Sequence, residues 1–511
     1  MAGPARRPRA HLHLGAGRLR PDHGATRAAC ALDTRGERIV RPRPLRASRP
    51  DQGGAGPAVH AQLTVERLRD LAEHGEIDTV VVAFTDVQGR LQGKRLHVGH
   101  FLDVVADRGA EACAYLLATD VDMRPVDGYA MNSWATGFGD FVLRPDPVTL
   151  RFVPWQRATA LVLCDVEWPD GRPVVASPRQ ILRRQVDRLA ERGLVPYAAT
   201  ELEFVAFDET YEEARRRRYQ GLSATSDYST DYSLLGTARV EPYLRRLRNE
   251  MAGAGLVVES AKGECNLGQH EVVFRYDEAL TTADQHAIYK TGAKEIAVQE
   301  GLSVTFMAKV NEREGNSCHV HLSLRSPDGT AVMADSGGEG TGLSPLMEHF
   351  LAGQLACASE LTLLYAPNVN SYKRFVDGSF APTRLAWGRD NRTCAMRVVG
   401  HGTSLRVENR LPGADVNPYL AIAAMIAAGL HGIERELPLE PQVSGDAYGS
   451  NRPRVPSTLR AAAELFDRSA LARDAFGDDV VEHYLNAARI ELDGFDAAVT
   501  DWELIRGFER L

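Results

Sequence analysis

The chain has 511 residues, 44% of them hydrophobic and 25% charged, the composition of an ordinary globular protein with room for several domains. Its net charge of −8 argues against a dedicated nucleic-acid binder, which would usually carry a basic domain. No run reaches the roughly 18 apolar residues of a membrane span, and seven scattered cysteines without a C-x-x-C suit a reducing cytoplasm rather than a zinc ribbon or disulfide framework.

Residues 1–62 are rich in Arg, Pro, Gly and Ala, and an early "RR" is followed by no apolar h-region. Disorder is the expectation, with an over-extended start or a partner-docking basic tail as alternatives. Residues 63–170 read as a small α+β domain. "TVERLRDLAEHGEI" predicts a helix ending at Gly75, and "DTVVVAFTDVQGRLQGKRL" predicts a hairpin turning near Gln88-Gly89. "DFVLRPD" and "TALVLCDVEW" add strands.

Residues 171–511 form the second predicted domain. One helix opens with Ser177 as N-cap and Pro178 at its first position, closing at Gly193. Another is expected from Thr282, with Gln285 completing a capping box, to Gly301. "NPYLAIAAMIAAGL" predicts a buried helix after Asn417-Pro418, and the chain from Ser457 predicts helices only. "GGEGTG" (Gly337 to Gly342) reads as a flexible connection rather than a phosphate loop, and G-x-x-x-x-G-K-[ST], G-x-S-x-G and H-E-x-x-H are absent.

Four strand-like segments carry the chemistry. "TELEF" puts Glu201 and Glu203 on one strand face between apolar flanks, and buried paired carboxylates need a metal or arginines. "GECNLGQHEVVFRY" holds Glu264 and Glu271 around a Gly-containing bend, and "SLRVENRLP" aligns Arg406, Glu408 and Arg410. "GNSCHVHLSL" aligns His319 and His321, with Cys318 read as a strand filler. Each run alone also suits an exposed strand. Together, five carboxylates and two histidines suit Mg²⁺ or Mn²⁺ better than zinc. Arginines beside such a cluster suit phosphoryl transfer from a nucleotide.

These segments, with "VESAKGECNLGQHEV", "NSYKRF", "NRTCAMRV" and "RVENRLPGADVNPYLAIAAMIAAGL", occur in an order that resembles the glutamine synthetase family over residues 63–511. The resemblance implies an α+β protein: an N-terminal β-grasp domain, then a glutamine synthetase-type catalytic α/β domain with antiparallel strands. It implies a cytoplasmic homo-oligomer, a dodecamer of two hexameric rings with active sites between neighbours. The implied reaction is ATP-dependent. The γ-carboxylate of L-glutamate takes the terminal phosphate, and an amine displaces it.

By resemblance, Glu203, Glu264 and Glu271 hold one metal, and Glu201, His319 and Glu408 the second, either Mg²⁺ or Mn²⁺. Glu259, His321, Ser323, Arg397 and Arg406 fall at nucleotide-contact positions. Arg374, Arg410, Gly315 and Glu264 fall on the glutamate side, and Arg392 where a guanidinium stabilises phosphoryl transfer. Asp127 and Phe380 fall at the ammonium site.

That last site departs from the family pattern. The flap glutamate six residues after the "NSYKR" arginine is Phe380, with Asp377 as the nearest substitute. In "DGYAMNSW" Asp127 and Trp134 keep their spacing, but a serine position is Ala130. The usual Gly-Ser-Gly reads Gly315-Asn316-Ser317, and an expected nucleotide-contact lysine reads Thr403. These changes resemble the γ-glutamylamide synthetases that use ethanolamine or polyamines. A true glutamine synthetase with a rearranged flap and an inactive structural or regulatory ring are the alternatives. Tyr448 lies near a position adenylylated in some family members, but "SGDAYGSNR" does not match the modified loop.

Overall fold

The computed structural model describes residues 63–335 and 342–511. The Arg/Pro-rich segment 1–62 and residues 337–341 of the Gly-rich run lie outside the described residues.

The helix Val65–Glu73 starts where Thr64 Oγ1 accepts from Arg67 N at 3.2 Å, and it buries Leu68 and Leu71. Strands β1 (Thr79–Thr85) and β2 (Leu91–His97) form the expected hairpin. Its turn is closed by Asp86, whose Oδ1 accepts from Gln88 N at 3.0 Å and Arg90 N at 2.9 Å. With β3 (Ala110–Cys113), β4 (Asp140–Pro145), β5 (Arg151–Phe152) and β6 (Thr159–Glu167) they build a sheet of order β2-β1-β6-β4-β3, with β5 on β6 and β1–β6 parallel. Val80, Val82 and Phe84 alternate inward to meet Phe141, Leu143 and Val162 in this region's own core.

The second sheet has nine strands. The central strand is β7 (Val195–Phe207), and β8 (Val258–Gly263), β9 (Gln269–Phe274), β10 (Asp277–Glu278), β11 (Ser303–Thr305) and β12 (Cys318–Arg325) follow in the chain. β13 (Trp387–Arg389), β14 (Met396–Val399) and β15 (Arg406–Asn409) complete it. The order is β13-β14-β15-β12-β7-β9-β8, with β10 and β11 also on β7; β13–β14 is parallel and the other pairs are antiparallel.

Helices back this sheet. Pro418–Glu434 is buried almost all round because it is rich in Ala and Gly. It packs against Pro345–Tyr365 so closely that a Cβ on Gly432 would stand 2.0 Å from the His349 carbonyl oxygen. Arg179, on the helix Pro178–Ala190, ties the two sheet regions together. Its guanidinium reaches Asp284 at 2.9 and 3.0 Å, Asp165 at 2.6 Å and Asp146 at 2.8 Å.

One expected cap is absent. The long helix begins at Ala279, not Thr282, because Thr282 Oγ1 donates to the Ala198 carbonyl of β7 and Gln285 Nε2 donates to Asp277. Ser177 occupies the N-cap of its helix without a side-chain capping bond. Cys318 is fully buried in β12, and the Tyr448 hydroxyl is also buried. No described helix is long and apolar enough to cross a membrane.

Candidate active site

Antiparallel register assembles the charges. His319 of β12 lies opposite Glu201 of β7, and His321 lies opposite Glu408 of β15. Glu203 of β7 lies opposite Glu271 of β9, which in turn lies opposite Lys262 of β8. Arg397 of β14 lies opposite Glu408. Ligand atoms of Glu201, His319 and Glu408 come within 4.8 Å of one another, and so do those of Glu203, Glu264 and Glu271. His319 Nδ1 is 3.2 Å from Glu201 and 3.5 Å from Glu408.

The donor sets suit divalent cations. Burial, then the neighbouring Glu264, pushes Glu203 up to about 7. Burial, then Glu201, Glu203 and Glu264, pushes Glu271 well above the usual carboxylate range. Glu203 and Glu271 thus resist ionising beside one another, and a cation would relieve that and favour their ligating form, with oxygen donors of the type Mg²⁺ and Mn²⁺ take. Burial and Arg410 push His319 down to about 4, leaving a neutral imidazole able to ligate. Burial works against ionisation of Glu408, but His319 and Arg410 outweigh it and hold the carboxyl down at about 2. Ser317 orients Glu203: its Oγ donates to Oε1 and its backbone N to Oε2, both at 2.7 Å.

A cleft of about 490 Å³ opens over both groups. It is also lined by Arg374, Arg392, Arg397, Arg410, Gly315 and Phe380. Arg374 is almost wholly buried and donates to the carbonyls of Arg410 and Leu411, each at 2.8 Å, so it braces the wall as well as facing the cleft. Gly315 permits this: a Cβ there would stand 2.5 Å from Arg374 Cγ. Arg410 pairs with Glu408 and donates to the Phe380 carbonyl at 3.4 Å. Arg397 Nη1 donates to Glu408 at 2.7 Å. Phe380 is half exposed, with φ +59.

On the other side of Glu201 lies a second cleft of about 250 Å³, lined by Glu259, His321, Ser323, Thr403 and Arg406. Arg406 Nε donates to His321 Nδ1 at 3.1 Å, and His321 Nε2 stands 2.9 Å from Glu201. Sequence reasoning missed the aromatic end of this cleft. Tyr197 and Tyr276 meet edge to face, with the Arg325 guanidinium 5.0 and 5.5 Å from their rings. A period-2 strand pattern offered the positions of Tyr197 and Arg325 but not their convergence.

Some expected neighbours are apart. Asp127 is exposed and lines neither cleft of its own chain; its carbonyl accepts from Asn486 Nδ2 at 3.0 Å. Trp134 is also exposed. Asp377 accepts from Thr383 at 2.5 Å, lies 3.7 Å from Arg454, and does not line the cleft. Asp231, Tyr232, Lys262 and Cys265 do line the cleft, although their sequence context gave no signal.

Residues 175–506 match the model of the glutamine synthetase catalytic domain. The chain is 64% identical over 449 residues to the gamma-glutamylethanolamide synthetase of Streptomyces coelicolor, covering 88% of this chain and 96% of that one. It is 38% identical over 446 residues to the glutamate–isopropylamine ligase of a Pseudomonas species, covering 86% and 97%. A solved complex of GmaS with ADP superposes with a TM-score of 0.76 at 28% identity, covering 86% of this chain and 99% of that one.

Proposed function

Because the chain belongs to the glutamine synthetase family, we propose that it is an ATP-dependent ligase joining the γ-carboxylate of L-glutamate to an organic amine such as ethanolamine. The observation that carries the ligase chemistry is the pair of ligand groups, Glu201–His319–Glu408 and Glu203–Glu264–Glu271, under one arginine-lined cleft. Organic-amine use is supported by the names of the two relatives and by the aromatic Phe380 with Asp377 turned away.

The parts divide as follows. Glu259, His321, Ser323 and Arg406 hold the nucleotide in the second cleft, with Arg397 reaching from the first. Arg374, Arg410, Gly315 and Glu264 position glutamate. Arg392 and Arg397 neutralise charge as the terminal phosphate passes to the γ-carboxylate. The amine, having lost a proton, then displaces phosphate and forms the amide. Mg²⁺ or Mn²⁺, held by the two ligand groups, supplies charge neutralisation at the phosphates when bound. Glutamate carboxylate is a weak nucleophile, so orientation supplies much of the rate.

The same reading makes the enzyme a cytoplasmic dodecamer of two hexameric rings. Asp127, outside both clefts of its own chain, is offered to a neighbour's amine site. Mass measurement in solution tests the assembly. Phosphate release with ATP, glutamate and Mg²⁺ or Mn²⁺, against ammonium, ethanolamine and putrescine, tests the reaction. Preference for ammonium would make this a glutamine synthetase, and no turnover with any amine would leave an inactive ring.

A further inference from the structure

We infer that Lys262 is a specificity residue: it fixes a positive charge on the amine side of the cleft and selects acceptors with one amino group and a neutral tail over diamines and polyamines. The inference rests on the ligase reading above and narrows its substrate class.

The lining of the cleft divides by chemistry. The two ligand groups form its floor, Arg374 and Gly315 lie on the glutamate side, and Arg392 and Arg397 serve phosphate. The cleft's other lining residues include Asp231, Tyr232, Lys262, Cys265, Glu314 and Phe380. Lys262 sits on β8 opposite Glu271 and pairs with Glu264. Its Nζ also lies 3.5 Å from Asp231 and 4.5 Å from the centre of the Tyr232 ring.

The Asp231 carboxylate and the Tyr232 ring are what the far ammonium of a diamine would seek at this place. Lys262 already stands against both. A second ammonium beside Asp231 would find that counter-charge engaged and a like charge next to it. A hydroxyl tail meets neither penalty, and its oxygen can accept from the Lys262 ammonium. Two like charges about 5 Å apart at an effective dielectric near 20 correspond to roughly 300-fold in binding, which solvent in an open cleft reduces to about tenfold.

Loss of a lysine that only balanced Glu264 would make all amines suffer alike, so the two roles are separable by experiment. With the assembled enzyme, ATP, glutamate and saturating Mg²⁺, kcat/KM is measured for ethanolamine and putrescine in wild type, Lys262→Met and Lys262→Arg. Wild type is expected to favour ethanolamine. Lys262→Met should raise the putrescine-to-ethanolamine ratio about tenfold or more, while Lys262→Arg keeps the wild-type ratio. Lys262→Gln carries the same comparison if the methionine variant does not fold. An unchanged ratio, a parallel loss with both amines, or a wild type indifferent between them overturns the inference and leaves the ligase reading standing. Ammonium as the sole acceptor overturns that reading itself, and the inference with it.

Discussion

Ser317 offers a direct test of how the Glu203 ligand group is held. Its Oγ and backbone N each donate to the Glu203 carboxylate at 2.7 Å, and Gln269 Nε2 adds a third donor at 3.1 Å. Ser317→Ala removes one of the three and leaves the others, with almost no change in packing volume. A hydrogen bond to a charged, buried acceptor contributes about 1.5–3 kcal/mol. The hydroxyl stabilises the ionised, ligating form of Glu203, so its loss favours the protonated form and weakens metal binding. The expected effect is a roughly 10- to 100-fold rise in the Mg²⁺ or Mn²⁺ concentration needed for half-maximal activity. The assay is phosphate release as a function of metal at saturating ATP and glutamate, with calorimetric Mn²⁺ binding as an activity-independent check. An unchanged metal midpoint in both would show that the backbone donor and Gln269 suffice, and the argument from Ser317 Oγ would fail.

Phe380→Glu restores a carboxylate at the flap position and should lower organic-amine turnover relative to ammonium; an unchanged ratio would show that this position does not shape the acceptor pocket. Arg179→Met leaves the buried Asp284 without a cation, while Arg183 still pairs with Asp146 and Asp165, and should cost about 3–5 kcal/mol of stability, read as an earlier denaturant midpoint. An unmoved midpoint would mean that the other contacts between the sheets carry the junction. His483 is buried against Tyr129, their ring centres 4.5 Å apart, and burial lowers it from 6.5 to about 4. Its folded value lies below its unfolded one, so the unfolded chain binds the proton first as pH falls. The stability it contributes is complete above about pH 6.5 and is lost toward pH 4, by at most about 3 kcal/mol. Denaturation of wild type and His483→Phe across that window should show a shallower acid loss in the variant; parallel curves would exonerate this histidine.

Much of the site was legible because strand alternation and ordered motifs act locally. "TELEF", "GNSCHVHLSL" and "RVENR" announce which residues share a face, and the six blocks together point to one family. Register was not legible. Nothing local says that His319 faces Glu201, or that Glu271 stands between Glu203 and Lys262. Lys262 in particular reads as an ordinary strand charge until β9 is laid beside it. The capping box at Thr282 failed for a similar reason, since its hydroxyl is taken by a carbonyl 84 residues away in the chain. Asp377 looked like a substitute on spacing alone, but Thr383 and Arg454 draw it aside.

The ligand groups and the acceptor wall differ in how they are anchored. Five of the six ligands lie within strands of one sheet, where moving any residue would disturb its hydrogen-bonded neighbours. Tyr232 and Phe380 lie outside strands, each with positive φ, and even Lys262 sits on the edge strand β8. A substitution at Tyr232, Phe380 or Lys262 therefore reshapes the rim of the cleft without shifting the register that gathers the ligand groups, so what enters the cleft and what is held on its floor can be altered separately.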